Sequence, residues 1–254
     1  MPKITYITIT YNASSVLQPT LDSVDCQTYR QIEHIIVDGA SKDDTLALAQ
    51  QYKASTEAKD NGHTVVILSE PDKGIYDAMQ KGVGLATGRY ICFLNAGDRL
   101  PHADTTAEVA ASASENVGVI YGDTDIVDSD GKFLRHRHLS APEKLSWRSF
   151  RKGMLVCHQA FYALTDLAHL TPYNLNYRYS ADVDWCIRIM KEAERKGLQL
   201  KKVDGVVANY LDGGTTNQNH RASLKERFRV MRSHYGLFTT LCMHLWFVVR
   251  SIFR

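Results

Sequence analysis

Seven consecutive β-branched or aromatic positions, Ile4 to Thr10, end abruptly at the polar stretch Tyr11-Asn12-Ala13-Ser14. The pattern reads as a strand, a turn and a helix cap, with the helix running on to about Gln27. It recurs with Ile32 to Val37, the turn Asp38-Gly39-Ala40-Ser41, and a helix led by Asp43 and Asp44 through about Ala58. A third unit follows: Thr64 to Ser69, the loop Glu70-Pro71-Asp72-Lys73, and a helix from Gly74 to about Ala86. A fourth strand, Tyr90 to Leu94, runs into Asn95-Ala96-Gly97-Asp98. Strands that alternate with helices predict a mainly parallel, Rossmann-like α/β sheet, whose ligands sit beyond the C-terminal strand ends. Each polar loop named above lies at such an end.

The rhythm changes after Val117. Val119-Ile120-Tyr121 and Asp125-Ile126-Val127 read as two short strands, and Asp128-Ser129-Asp130-Gly131 as a hairpin turn, so the sheet is expected to become mixed. Ala160-Phe161-Tyr162 reads as a strand facing the cleft, and His136-Arg137-His138 as a solvated strand edge. A helix start is expected at Ser180-Ala181-Asp182-Val183-Asp184. Two β segments, Leu198 to Val203 and Gly205 to Asn209, precede the polar turn Asp212 to Thr216, where Gly213-Gly214-Thr215-Thr216 reads as an ordinary turn or a loop closing over phosphates. These boundaries are expected to divide the 254 residues into an α/β domain, 1–220, with halves meeting near residue 100, and C-terminal amphipathic helices, 221–254.

Composition narrows the functional classes. A net charge of +2 argues against a global grip on nucleic acid, although Lys225, Arg227, Arg229 and Arg232 gather basic charge near the C-terminus. Five cysteines, scattered and without zinc spacing, read as reduced, mostly buried thiols, which suits the cytosol. Met1-Pro2-Lys3 leads straight into a strand without a signal-peptide pattern, so secretion is not expected.

Asp38, Asp72, Asn95, Asp98 and Asp182 all fall at predicted strand ends or helix starts, so one cleft can collect several carboxylates and suit a divalent cation. Singly, each is better explained as a turn or cap residue. Order and spacing change that. Ile7 to Asn12, Val37-Asp38-Gly39-Ala40-Ser41-Lys42-Asp43-Asp44-Thr45, and the longer block Glu70 to Met79 with Gly82, Ala86, Gly88 to Ile91 and Phe93 to Asp98 together resemble glycosyltransferase family 2. These are inverting enzymes with the GT-A nucleotide-sugar fold, among them the transferases of bacterial surface polysaccharides.

The resemblance implies roles. Asp38 would accept from the nucleobase, with Thr10, Tyr11 and Asn12 lining the same pocket and Asp72 near base and ribose. Asp98 matches the last acid of the family's DxD-type motif, which coordinates Mg²⁺ or Mn²⁺ across the donor diphosphate. Asn95 and Gly97 stand where carboxylates are common, and the Asn95 amide can still contact ribose or phosphate. The family's second acid maps onto Asp182, with Ala181 in place of a Glu, and would be the general base on the acceptor hydroxyl, with Asp184 as its rival. Arg188 pairs with an acid or a phosphate, or sits on a solvated face. His158 contacts acceptor or diphosphate, or is a satisfied core histidine. The expected partners are a nucleotide-sugar donor, UDP-linked in first preference, and a glycan or polyprenyl-diphosphate-linked saccharide acceptor. The competing classes are a non-catalytic nucleotide-sugar-binding scaffold, favoured by the incomplete DxD, and a sugar-nucleotide nucleotidyltransferase, disfavoured by the missing Gly-rich basic loop after the first strand.

From Ser223 to Arg254 two helices are expected, the first basic, the second dominated by Leu237-Phe238, Leu241-Cys242-Met243 and Leu245 to Val249. The apolar run of about 14 residues is short of the roughly 20 that span a bilayer. An in-plane anchor on the inner face of the cytoplasmic membrane, packing on the catalytic domain, and a homodimer interface are the three ways to cover it.

Overall fold

The all-buried run Ile4–Thr10 forms β1 at the centre of the sheet, flanked by the equally buried β2 (Ile32–Asp38) and by β4 (Tyr90–Phe93). Burial on both faces explains why these strands are continuously β-branched or apolar rather than alternating. In the computed structural model, which describes residues 1–213 and 220–252, β3 (Thr64–Ser69) closes one edge, and β1 to β4 are parallel. The helices between them are α1 (Ser14–Asp25), α2 (Thr45–Glu57) and α3 (Ile75–Leu85), each within a few residues of its expected bounds.

Beyond β4 the sheet becomes mixed. The two short strands expected around Tyr121 and Ile126 are one strand, β5 (Val117–Val127), which pairs on one side with β6 (Phe133–His136) and β7 (Phe161–Leu164), both antiparallel. Its other side pairs in parallel with β8 (Gln199–Leu211), again one strand where two were expected. The polar residues that interrupt the apolar pattern have partners that sequence spacing does not reveal: Asp123 accepts from the Ala141 amide at 2.7 Å. Shifts of register around Asp123 absorb the irregularity. The strand expected to face the cleft is buried instead: Phe161, Tyr162 and Ala163 have no exposure, and a 3₁₀ turn, His158–Ala160, brings His158 to the site just before β7 begins. Two short helices escaped the pattern, α4 (Thr105–Ala111) and α5 (Thr165–Leu170), as did the 3₁₀ segment Trp147–Lys152.

The helix expected after Ser180 is α6 (Ala181–Arg195). It lays Trp185, Ile189, Met190 and Ala193 against the sheet. Trp185 stacks on Tyr173 at 5.2 Å, Tyr173 stacks on Tyr76 at 5.6 Å, and Phe93 meets both Trp185 and Tyr173 edge-on. Pairs of this kind are each worth about 0.5–1.5 kcal/mol beyond burial. They make a rigid floor below the strand ends. Two buried polar groups of the parallel half are paired: Glu33 accepts from Thr5 Oγ1 and from the Thr87 amide and hydroxyl, and His34 bridges Thr8 and Tyr52. Burial pushes the His34 pKa down to about 3, so its ring stays neutral.

The C-terminal pair is present as α7 (His220–Tyr235) and α8 (Leu237–Ile252). α7 docks on the catalytic body through Val230 and Met231, both buried, and through Tyr235, which stacks on Trp147 at 5.7 Å and donates to its carbonyl. α8 lies on α7, with Thr240 buried and His244 edge-on to Phe228. Phe238 is 81% exposed, and Leu241, Leu245 and Val248 are also open. No described helix is long and apolar enough to cross a membrane. His136 is exposed on β6, as expected, where it pairs with Asp125. All five cysteines are free, with Cys92, Cys157 and Cys186 buried.

Candidate active site

The loops after β1, β2, β3 and β4 converge at one end of the parallel strands. The first three form one pocket wall. Asp38, fully buried, accepts from Ser41 Oγ and Thr10 Oγ1 on one oxygen and from the Ser41 amide and Ser69 Oγ on the other. Its four acceptor positions are thus taken by the protein itself, which makes it the brace that ties β1, β2 and β3 together at their ends. Asn12, in the left-handed region at φ 48°, accepts from the Lys42 amide through Oδ1 and so joins the first loop to the second. Tyr11 is 65% exposed. A Cβ on Gly39 would come within 2.9 Å of Asp72 Oδ2 and 3.3 Å of the Tyr11 ring, so the absent side chain keeps an aromatic face and a carboxylate open beside each other. Lys81 holds Asp72 at 2.6 Å and Glu70 at 2.9 Å, and these carboxylates raise its pKa.

The turn after β4 carries the second half of the site. Gly97 sits at φ 98°, where a Cβ would also lie 2.6 Å from Leu211, and its amide donates to Thr20 Oγ1. That turn, whose backbone glycine adopts freely, aims Asp98 inward, 3% exposed, where Oδ1 accepts from the Leu211 amide at 3.0 Å and Oδ2 from Gln159 Nε2 at 2.8 Å. Burial pushes the Asp98 carboxyl up to about 6, against the lowering effect of those two hydrogen bonds. Arg99, the next residue, exchanges both backbone hydrogen bonds with Asn209 on β8, which clamps the turn from the far side.

A line of four side chains then crosses the site. Asn95 Nδ2 lies 3.0 Å from His158 Nε2, His158 Nδ1 lies 3.3 Å from Asp182 Oδ2, and Tyr76 donates to Asp182 Oδ1 at 3.0 Å. With the Asn95 amide donating, His158 accepts at Nε2 and carries its proton on Nδ1, aimed at Asp182. Burial by itself raises the Asp182 pKa, and the His158 and Tyr76 hydrogen bonds more than offset that, leaving it below the ordinary carboxylate range. Asp182 therefore stays ionised at neutral pH, with a proton-carrying imidazole on one oxygen.

Asp184 points elsewhere. One oxygen takes Arg188 Nε at 2.7 Å, the other His234 Nε2 of α7 at 2.8 Å, and it is 4% exposed. Both Asp184 and Arg188 thus belong to the seam between α6 and α7 and not to the line through Asp182. Tyr76, Gln159 and Tyr210 are the residues that pattern reading passed over. Burial, followed by the nearby Asp98 charge, pushes the Tyr210 phenol up to about 12. Tyr76 lay inside the Glu70–Met79 block, and Gln159 beside His158, so both signals were present as neighbours of residues that were singled out. Of the Gly213–Thr216 loop, Gly214, Thr215 and Thr216 lie outside the described residues.

Among the described residues no group of three or more His, Cys, Asp or Glu is gathered at metal-binding spacing. The oxygen donors here are of another kind. The Oδ1 of Asn95 and the Oε1 of Gln159 are buried without a partner, and the Asp98 carboxylate, with two bonds accepted, has further lone pairs. Neutral and anionic oxygens of this sort fit a hard cation such as Mg²⁺ or Mn²⁺. The pocket of about 250 Å³ lined by Met1, Pro2, Arg89, Ala113 and Ser114 lies at the opposite strand ends and holds none of these residues.

The sequence profile of Glycosyl transferase family 2 matches residues 5–168, which takes in every loop of the site as far as His158 and Gln159. The chain belongs to this family. It is a glycosyltransferase with the GT-A fold. A "PGL/p-HBAD biosynthesis glycosyltransferase" of Mycobacterium tuberculosis is 36% identical over 224 residues, 85% of this glycosyltransferase and 80% of the relative. Among solved structures, Staphylococcus aureus TarS 1-349 in complex with UDP-GlcNAc superposes with a TM-score of 0.69 at 16% identity, covering 91% of this chain. This chain spans 64% of that one, just under two thirds. A mannosyltransferase from Pyrobaculum calidifontis, solved with GDP-Man and Mn²⁺, gives a TM-score of 0.63 at 19% identity over 96% of this chain and 68% of that one.

Proposed function

We propose that this glycosyltransferase moves a sugar from a nucleotide-diphosphate donor, UDP-linked in first preference, to a hydroxyl of a glycan or polyprenyl-diphosphate-linked saccharide, with inversion. The observation that carries the reading is the line Asn95–His158–Asp182–Tyr76, which joins the donor-side turn after β4 to a carboxylate that its partners hold below the ordinary range. Asp182 is the general base: it takes the proton of the acceptor hydroxyl as that oxygen attacks the anomeric carbon from the face opposite the diphosphate. His158 and Tyr76 hold it in place. The exposed Tyr11 ring, Gly39 and Asp72 receive the base and ribose, over the floor braced by Asp38. Asp98 and Asn95 would hold Mg²⁺ or Mn²⁺, which supplies charge neutralisation to the departing nucleoside diphosphate. TarS with UDP-GlcNAc and the mannosyltransferase with GDP-Man and Mn²⁺ support the donor class and the metal by analogy of fold.

A thermal-shift panel of UDP-, GDP- and dTDP-sugars, each with and without Mn²⁺, tests this. One donor is expected to raise the melting temperature by several degrees with Mn²⁺ present, since about 2.7 kcal/mol of stabilisation follows from ligand at 100 times its Kd. A panel in which no nucleotide sugar shifts the protein while nucleoside triphosphates do would favour the nucleotidyltransferase reading instead.

The membrane is the occupant we assign to α8, on the cytoplasmic face. From Arg227 to Arg254 the chain contains arginines and no Asp or Glu, and the open face presents Phe238, Leu241, Leu245 and Val248, the composition of an in-plane anchor on anionic lipid. Flotation with vesicles of phosphatidylglycerol is expected to carry the protein, and phosphatidylcholine alone to carry much less. Sedimentation as a dimer that ignores both vesicles would assign the face to a second copy.

A further inference from the structure

Helices that begin with Ser usually use its hydroxyl to satisfy an amide of the first turn. In α6 this does not happen: the Ser180 hydroxyl is buried and has no partner. The lead-in amides are met from 46 to 48 residues downstream. Glu226 of α7, 8% exposed, accepts from the Arg178 amide at 2.8 Å through one oxygen and from the Tyr179 and Ser180 amides at 2.6 and 2.7 Å through the other. A carboxylate at this end also faces the positive pole of the α6 dipole. Three consecutive peptide planes are thereby fixed by one side chain. Asp182 is the second residue of the helix they lead into.

We propose that Glu226 is a positioning residue for Asp182, so that the C-terminal helix α7 is a working part of the active site; this rests on the reading of Asp182 as the base. Asp182 must meet His158 and Tyr76, which come from the 3₁₀ turn before β7 and from α3, so its place is set only if the first turn of α6 is held against both. Catalytic groups tolerate about 0.5 Å of displacement, and about 1 Å can cost on the order of a hundredfold in rate. Releasing the three amides frees that turn while leaving the Tyr11, Asp38 and Asp72 loops untouched.

The test uses the full chain with whichever of UDP-GlcNAc, UDP-glucose and GDP-mannose binds it best, followed as Mn²⁺-dependent donor hydrolysis, with donor Kd from calorimetry. Glu226→Ala is expected to lower kcat about ten- to a hundredfold with donor Kd within about twofold, and to speed hydrogen exchange at residues 178–182. Adding Ser180→Asp, which cannot reach the 178–180 amides but places a carboxylate N-cap on the first-turn amides of α6 itself, is expected to recover much of kcat. If Glu226→Ala is too unstable to purify, Glu226→Gln, which keeps size and one acceptor oxygen, is expected to show the same split in milder form. Full activity in a folded Glu226 variant overturns the proposal, as does an equal loss of kcat and donor affinity without rescue. Asp182→Asn is run alongside. An active Asp182→Asn removes the base reading and this proposal with it, whereas an inactive Asp182→Asn beside a fully active Glu226→Ala removes the positioning role alone.

Discussion

Asp182→Asn is expected to lower sugar transfer by about 10² to 10⁴, the range that a positioned general base contributes, while donor affinity stays close to that of the unmodified protein. The substitution keeps the size of the side chain and one acceptor oxygen for Tyr76 or His158, so the aromatic floor of Tyr76, Tyr173 and Trp185 has no reason to move. What disappears is the negative charge and the site that receives the proton. The loss is expected in kcat and not in the binding of the nucleotide, because Tyr11, Gly39 and Asp72, which we propose receive it, stand on other loops. Steady-state kinetics with a donor titration separates the two; a variant that loses donor affinity and keeps kcat would contradict the assignment. Asp184→Asn is the companion measurement. Its partners are Arg188 and His234, and its carboxylate is held below the usual range because their influence outweighs the raising effect of burial. That variant is expected to lose stability and to retain far more activity than Asp182→Asn.

Asp98→Asn is expected to lower turnover sharply and to stabilise the fold at neutral pH. Burial raises the Asp98 pKa from 3.8 to about 6, so the folded state prefers the protonated acid and ionisation at pH 7 opposes folding. A raised folded pKa contributes stability that is fully present below the unfolded value and lost as pH rises through about 6. The gap of roughly two units corresponds to about 3 kcal/mol at most, and about 1–3 kcal/mol is expected after relaxation, or several degrees in melting temperature for a chain of this size. Asn can still accept from the Leu211 amide, and its own NH₂ can donate to the Gln159 oxygen that now lacks a partner. The stability difference between the variant and the unmodified protein is expected to shrink as pH falls from 7 through 6 toward 4. Carboxylates held low, such as Asp182 and Glu33, lose stability in the opposite sense on acidification, but they are common to both proteins and cancel. The same substitution removes the charge that would hold a divalent cation, so Mn²⁺-dependent turnover is expected to fall on the order of a hundredfold. A variant less stable at pH 7, with no dependence of the difference on pH, would refute this account of Asp98.

The two variants probe parts of the site that were unequally visible along the chain. Strands β1 to β4 and the loops that carry Thr10, Asp38, Asp72 and Asp98 follow from local rules: β-branched runs, turn residues, and the alternation of strand and helix that sends each loop to the same sheet edge. Asp182 was legible as a carboxylate at the start of an amphipathic helix. β5 was not legible as one strand, because Gly122 and Asp123 interrupt its apolar run and are compensated by β8 and the Ala141 amide. Nor could spacing separate Asp182 from Asp184: two residues apart on a helix they face different neighbours, and only docking decides which neighbour is His158 and which is His234.

By itself, then, the order of residues determined the parallel half of the sheet, the end at which its polar loops gather, and the roll of carboxylates and amides brought there. These depend on period, turn chemistry and sequence-local hydrogen bonding, which act over a few residues. Tertiary structure decided which carboxylate each histidine meets, that Asp38 is a brace occupied on both oxygens, that Asp98 is buried against Gln159 and Leu211, and that a glutamate on the C-terminal helix caps the helix of Asp182. Those contacts join residues tens of positions apart. Their energies come from burial and mutual orientation, which exist only once the sheet has closed and α7 has docked.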